Sequence, residues 1–298
     1  MSAGPALSPT LSPVVAGMSR VGRWGVDARA LLDWIVRVVD LGITSFDHAD
    51  VYGGYTVEAL FGEALALAPA WRERLQIVTK CGIRAVSPQR PQHASRAYDS
   101  SRAHIVASVE NSLRALRTDR IDLLLLHRPD LLLDPEELAD TQRELLAAGK
   151  VLQFGVSNHA PSQLTVLRKR LPVAAHQFEF SPLQMKALAD GTLDQCVDLA
   201  LRPMAWGVLG GGRLLLNRDD EQVQRVRAVL QDLGHEHGGQ SLVTMACAWV
   251  MRHPSRPRPV IGSRRLDTLS DAMAATSTTL SNEDWYRVWQ ASIGYELP

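Results

Sequence analysis

Residues 43–54 read Ile-Thr-Ser-Phe-Asp-His-Ala-Asp-Val-Tyr-Gly-Gly. The first four, Ile43, Thr44, Ser45 and Phe46, make a short β-type run of the kind that becomes a buried strand. The run stops at Asp47, His48 and Asp50, and Tyr52 stands just ahead of the pair Gly53 and Gly54. A glycine pair marks a turn, so the polar cluster falls in the loop by which the strand leaves its sheet. Because such a loop reverses direction, a carboxylate and a phenol at its two ends can face one cavity.

The same order of strand, polar exit and helix recurs on both sides. Upstream, residues 14–16 form a short candidate strand that runs into Gly17 and Met18, and residues 28–41 carry Leu31, Leu32, Ile35, Val38 and Val39 at helical spacing before Gly42 ends them. Downstream, a helix is expected over 57–66 and a strand over 77–81, which contains Lys80 and is followed by Gly82. Residues 88–101 are polar and proline-containing and read as a long surface loop ahead of a helix over 102–116. Residues 121–126 are almost unbroken apolar, as a strand covered on both faces should be, and they end at His127, Arg128, Pro129 and Asp130. Asp134, Pro135 and Glu137 have the order of a capped helix start. Further strands are expected at 151–156, 173–178, 202–206 and 259–261, with helices between them, and Ser281 with Asp284 caps a terminal helix.

Strands alternating with helices along the whole length, with no linker and no shift of composition, predict a parallel sheet. About eight such units predict an α/β fold, a (β/α)₈ TIM barrel, as a single domain over residues 1–298. A doubly wound open sheet is the competing arrangement, but no G-x-G-x-x-G motif follows the first strand.

Composition narrows the function. Of 298 residues 46% are hydrophobic and 21% charged, which suits a well-filled core. Lys plus Arg and Asp plus Glu both total 32, so there is no basic excess of the kind a nucleic-acid partner calls for. Three cysteines without a C-x-x-C pair predict a reduced, cytoplasmic protein. The first residues lack the pattern of a secretory signal, and no run approaches the ~20 apolar residues that span a bilayer. His127, His159 and His176 lack metal-ligand spacing, so no metal site is expected.

On a barrel, chemistry sits where the strands end. Asp47 and Tyr52 follow the second strand, Lys80 closes the third and His127 the fourth, so four ionisable groups would point at one spot. A phenol has a pKa near ~10, too high to exchange protons readily at neutral pH. An adjacent ammonium favours the phenolate, and a carboxylate behind the lysine keeps that ammonium charged. His127 could then polarise a substrate oxygen. Plainer readings exist: Lys80 as an ordinary strand-end lysine, His127 as a loop histidine, Asp50 as the holder of its own turn.

The stretches F-D-H-A-D-V-Y-G-G (46–54), I-V-T-K-C-G (77–82), I-D-L-L-L-L-H-R-P-D (121–130), G-K-V-L-Q-F-G-V-S-N-H (149–159) and P-V-I-G-S (259–263) together resemble the aldo-keto reductase superfamily. Its bacterial branch of monomeric oxidoreductases is the nearest likeness, through H-A-D-x-Y-G-G and M-A-W-x-x-L-G-G-G-R-L (204–214). The resemblance implies a catalytic tetrad of Asp47, Tyr52, Lys80 and His127, with Tyr52 as general acid in hydride reduction of a carbonyl. It implies that Ser157, Asn158 and Gln177 bond the nicotinamide amide, that Trp206 stacks on the ring, and that Leu209, Gly210, Gly211 and Gly212 lie near the pyrophosphate. Gly17 and Met18 would flank the cofactor. Ser263, Arg264 and Arg265 would hold an adenosine 2′-phosphate, so NADP(H) is the expected cofactor with NAD(H) possible. One departure bears on that preference: Thr268, beside Asp267, stands where the family usually has an arginine. Trp24, His48 and Arg128, with Tyr55 and the 88–101 loop, are the candidates for the substrate pocket, and the expected partner is a small aldehyde or ketone, with no nucleic acid and no membrane. The competing reading is a protein that senses nicotinamide nucleotides with little turnover, as channel-associated members of the superfamily do.

Overall fold

In the computed structural model of the chain, residues 10–216 and 219–296 are described. Strands Val15–Gly17 (β1), Ser45–Asp47 (β2), Gln76–Cys81 (β3), Ile83–Arg84 (β4), Ala97–Tyr98 (β5), Leu123–Leu126 (β6), Phe154–Ser157 (β7), His176–Glu179 (β8), Met204–Trp206 (β9) and Arg258–Ile261 (β10) follow in order. Eight of them close in the order β1-β10-β9-β8-β7-β6-β3-β2, and β4 and β5 form a separate two-stranded sheet. The expected (β/α)₈ barrel is therefore the fold, and the open doubly wound sheet is not. Two compact units divide the chain, one running to His176 and the other from Gln177.

In the first unit, helices Ala28–Asp40 (α1), Val57–Ala66 (α2), Arg102–Leu116 (α3), Pro135–Ala147 (α4) and Pro161–Arg168 (α5) separate the parallel strands. Their starts follow the capping chemistry in the sequence. Asp27 accepts from the Ala30 N–H, Ser101 from His104, and Asp134 from Glu136 and Glu137. Ile35, Phe46, Phe61, Ile77 and Ile105 are fully buried between strands and helices, each contributing about 1.5–3 kcal/mol relative to exposure. In the second unit, Lys186–Ala189 (α6), Thr192–Asp198 (α7), Glu221–Glu236 (α8), Leu242–Met251 (α9), Leu266–Ala274 (α10) and Asn282–Ile293 (α11) accompany β9 and β10. There Trp249 and Trp285 stack at 4.9 Å, and each indole N–H donates to the other residue's carbonyl oxygen.

Two expectations shift. The strand expected over 121–126 shortens to β6, because the Asp122 carboxylate turns to Arg72 at 2.7 Å and takes the Ile77 N–H at 2.8 Å, leaving Ile121 as an isolated bridge to Val151. The 88–101 segment is not all loop, since β5 pairs antiparallel with β4, Ile83 opposite Tyr98. Two residues per strand are too few to show an alternation in sequence.

Candidate active site

Strand register places the reactive groups. Asp47 is level with Val78, Lys80 with Leu125, and beyond the strand ends the His48 N–H reaches Val78 O, the Asp50 N–H reaches Lys80 O and the His127 N–H reaches Cys81 O. Side chains alternate between faces every residue. Asp47, Lys80 and His127 therefore share one face, while Phe46, His48 and Thr79 share the other, toward α2.

Lys80 is the hub. Its Nζ lies 2.8 Å from both Asp47 oxygens, 2.7 Å from the His48 carbonyl oxygen and 3.2 Å from the Tyr52 hydroxyl. The His127 ring stands edge-on to Tyr52, with centroids 6.0 Å apart. All four expected groups thus meet. Burial by itself would lower the lysine's pKa, but the Asp47 and Tyr52 charges outweigh it and hold the ammonium above its ordinary value. For Tyr52 the balance runs the other way from the sequence expectation: burial raises the phenol pKa, and the Lys80 charge only opposes it. The phenol consequently keeps its proton at neutral pH. Burial, then the charges of Lys80, Arg128 and Arg96, push His127 down to about 2. Its ring is neutral, and the buried Nδ1 has no hydrogen-bond partner among the described residues.

The loop that carries Tyr52 needs its glycine. Gly53 has φ +61°, and a Cβ there would come within 2.8 Å of Thr56 Oγ1 and 2.9 Å of Val57 Cγ2. The chain can then turn at once into α2, whose Glu58 is buried and bonded to Thr79 at 2.6 Å and Ser112 at 2.9 Å. Asp50 is buried beside it. Burial first, then the Glu58 charge, raises the Asp50 pKa well above the carboxylate range, and burial also raises that of Glu58. This buried acid pair had no sequence signal, because Glu58 reads as an ordinary first-turn glutamate.

The expected cofactor residues fall in both units. In the first, Gly17 ends β1 opposite Asp47, and the N–H of the fully buried Met18 bonds the Asp47 carbonyl at 2.9 Å. Ser157, buried at the end of β7, accepts from Asn158 Nδ2 at 2.7 Å, and the same amide reaches the His127 carbonyl at 3.2 Å. Asn158 holds a left-handed φ of 59°. In the second, Gln177 and Met204 are level across β8 and β9, as are Glu179 and the half-buried Trp206. Leu209 leads into a six-residue 3₁₀ turn from Gly210, and Gly210, Gly211 and Gly212 all have positive φ. A Cβ on Gly210 would lie 2.5 Å from Leu183 Cδ1. Ahead of α10, the Arg265 N–H donates to Ser263 Oγ at 3.1 Å, while the Arg265 guanidinium is engaged by Asp267, with Nε to Oδ1 at 3.0 Å. Thr268 is buried and its N–H bonds the same carboxylate at 2.6 Å.

The substrate candidates separate. Trp24 is half-buried and packs edge-on to Trp34 at 4.9 Å. Arg128 is half-buried, and its charge acts on both Tyr52 and His127. His48 is corrected: its ring is fully buried against Phe61 at 4.5 Å, on the helix side of the strand exit, and burial lowers its pKa to about 3. Sequence proximity to Asp47 misplaced it, because adjacent residues on an extended chain point to opposite faces. Arg96 lies in the 88–101 segment, where nothing in the sequence marks it, and its charge reaches His127.

A model of the aldo/keto reductase family matches residues 13–293. The chain belongs to that family. As an aldo/keto reductase it is 44% identical over 292 residues to Oxidoreductase YdhF of Escherichia coli (strain K12), covering 97% of this chain and 96% of that one. It is 37% identical over 290 residues to the 6-dehydroglucose reductase of Agrobacterium fabrum (strain C58 / ATCC 33970), covering 96% of each. Among solved structures, the glycerol dehydrogenase AKR11B4 from Gluconobacter oxydans superimposes with a TM-score of 0.84 at 25% identity, over 99% of this chain and 96% of that one. The family and these relatives make the chain an oxidoreductase of the carbonyl-reducing kind. No helix among the described residues is long and apolar enough to cross a membrane.

Proposed function

We propose that this aldo/keto reductase reduces aldehydes or ketones to alcohols with NADP(H) as preferred cofactor and NAD(H) as an accepted one. The observation that carries the reading is the Lys80 ammonium, held between the Asp47 carboxylate at 2.8 Å and the Tyr52 hydroxyl at 3.2 Å. The residues present fit a dinucleotide. His127 Nδ1 is a buried polar atom without a partner among the described residues, and the left-handed backbone at Gly210, Gly211 and Gly212 admits close approach where a side chain at Gly210 would collide. Ser157 and Asn158, and separately Gln177, supply the donors and acceptors an amide requires. Trp206 offers a stacking face, Gly17 and Met18 lie beside Asp47, and Ser263, Arg264 and Arg265 suit a phosphate.

When bound, the cofactor supplies the hydride that adds to the carbonyl carbon. Tyr52 transfers its proton to the carbonyl oxygen, so that the C=O bond becomes an alcohol and the phenol becomes a phenolate. Lys80 stabilises that phenolate, and Asp47 keeps Lys80 charged and fixed. His127, neutral, orients the carbonyl oxygen toward the phenol by hydrogen bonding. Solvent then returns the proton to Tyr52. The Arg265–Asp267 contact competes with a 2′-phosphate, which is the reason NAD(H) is also accepted. The same proposal makes residues 1–298 one catalytic domain, monomeric and cytoplasmic, in keeping with three free, buried cysteines.

The test is NADPH consumption with a panel of aromatic aldehydes and dicarbonyls. Tyr52→Phe is expected to lower kcat by about 10²–10⁴-fold while fluorescence titration shows NADPH bound as before. A variant that turns over at the parent rate removes the mechanism, and tight NADPH binding with no turnover of any carbonyl favours the sensing role.

A further inference from the structure

Several arginines of the first unit face carboxylates, while Arg90 lies over the Tyr55 ring at 4.7 Å. Arg72 pairs with Asp122, Arg84 with Asp99, Arg102 with Glu144, Arg120 with Glu73 and Arg170 with Glu136. Arg96 and Arg128 have no carboxylate partner among the described residues. The nearest acids in sequence are already engaged. Asp99 takes Arg84 and the Ser101 hydroxyl, and Asp130 takes the Ser100 N–H at 2.8 Å and the Leu132 N–H at 2.9 Å.

The backbone carries both arginines beyond the exits of neighbouring strands β3 and β6. Arg128 directly follows His127 at the exit of β6, and Arg96 directly precedes β5, which pairs with β4 just beyond Lys80. The bond from Ser100 to Asp130 fastens the segment after β5 to the loop after β6. Both guanidinium charges act on the His127 ring, and that of Arg128 acts on the Tyr52 phenol as well. Lys80 is neutralised by Asp47 at 2.8 Å; these two are not. A chain with no formal net charge thus keeps two uncompensated cations whose charges reach His127, one of which also reaches the Tyr52 phenol.

We propose that Arg96 and Arg128 form an anion-binding subsite, so that the enzyme prefers carbonyl compounds carrying a carboxylate over neutral compounds of the same shape. Guanidinium groups suit this task, since they stay charged and present paired donors to a carboxylate. The inference rests on the carbonyl-reductase reading and adds the substrate class to it.

The test compares 4-carboxybenzaldehyde with its methyl ester, methyl 4-formylbenzoate, as the ratio of their kcat/KM values. Arg128→Gln and Arg96→Gln are each expected to lower that ratio about fivefold, through KM for the carboxylate, and the double variant lowers it further. Arg128→Lys restores part of the loss. In the wild type, raising salt to 0.5 M shrinks the ratio by screening, an arm that needs no variant. Ester turnover reports that each variant is folded, and the ratio cancels any effect of Arg128 on Tyr52. A ratio unchanged within twofold in the double variant, or insensitive to salt, overturns the subsite alone. Weaker NADPH binding in the variants with an unchanged ratio overturns it too, by assigning the charges to the cofactor. If the wild type reduces neither aldehyde, nor any other carbonyl, the parent reading falls and takes the subsite with it.

Discussion

Two ion pairs of similar chemistry sit at two strand exits of this molecule, and they behave as opposites. Lys80 and Asp47, at the ends of β3 and β2, have side chains only 1% and 4% exposed; Arg265 and Asp267, after β10, are 77% and 58% exposed. The buried pair has no water to replace its partner, so neither group can leave without stranding a charge. The exposed pair is screened, and another anion can replace Asp267 at small cost. On the proposed function, the buried contact would hold a fixed chemical geometry, and the exposed one would bear on cofactor preference.

The strongest way to break the contrast is Lys80→Met. It should abolish turnover to the same extent as Tyr52→Phe and, by leaving Asp47 buried and unpaired, cost about 3–5 kcal/mol of stability in urea unfolding. Adding Asp47→Asn should recover most of the stability and none of the activity. A single variant as stable as the parent would mean that the pair is not desolvated.

A pH profile sharpens the same contrast. His127 is held near 2 by burial and by the Lys80, Arg128 and Arg96 charges, so its ring is neutral throughout the physiological range. Tyr52 is raised above its usual value, so its proton is lost only as pH climbs beyond that of an ordinary phenol. The reduction rate should therefore show no inflection between pH 6 and 7 and should fall only on the alkaline side. An activity limb near pH 6.5 would show a histidine titrating in the rate-determining step. The smallest expected effect belongs to the exposed pair: Asp267→Asn should lower KM for NADPH about two- to fivefold and leave KM for NADH unchanged, read as the ratio of the two. Equal changes for both cofactors would dismiss Asp267 as a competitor of the phosphate.

Much of the site was legible before folding because it lies at strand exits, where a polar residue after an apolar run is conspicuous. Asp47, Lys80 and His127 were found that way, and strand register confirms that they share a face. His48 was misassigned because proximity along the chain carries no face, and only its contact with Phe61 revealed the side it occupies. Arg96 gives no signal in the sequence because its surroundings, a two-residue hairpin strand, leave no periodic trace.

Amino-acid order alone determined the alternation of strands and helices, the capped helix starts and the chemical types at each exit, since these depend on spacing and local propensity. Tertiary structure decided that Lys80 touches two oxygens of Asp47 and the phenol of Tyr52, that burial outweighs the ammonium in setting the phenol's proton affinity, and that two arginines remain uncompensated beside His127. Those outcomes depend on distance and desolvation, quantities that exist only once separate stretches of chain are packed together.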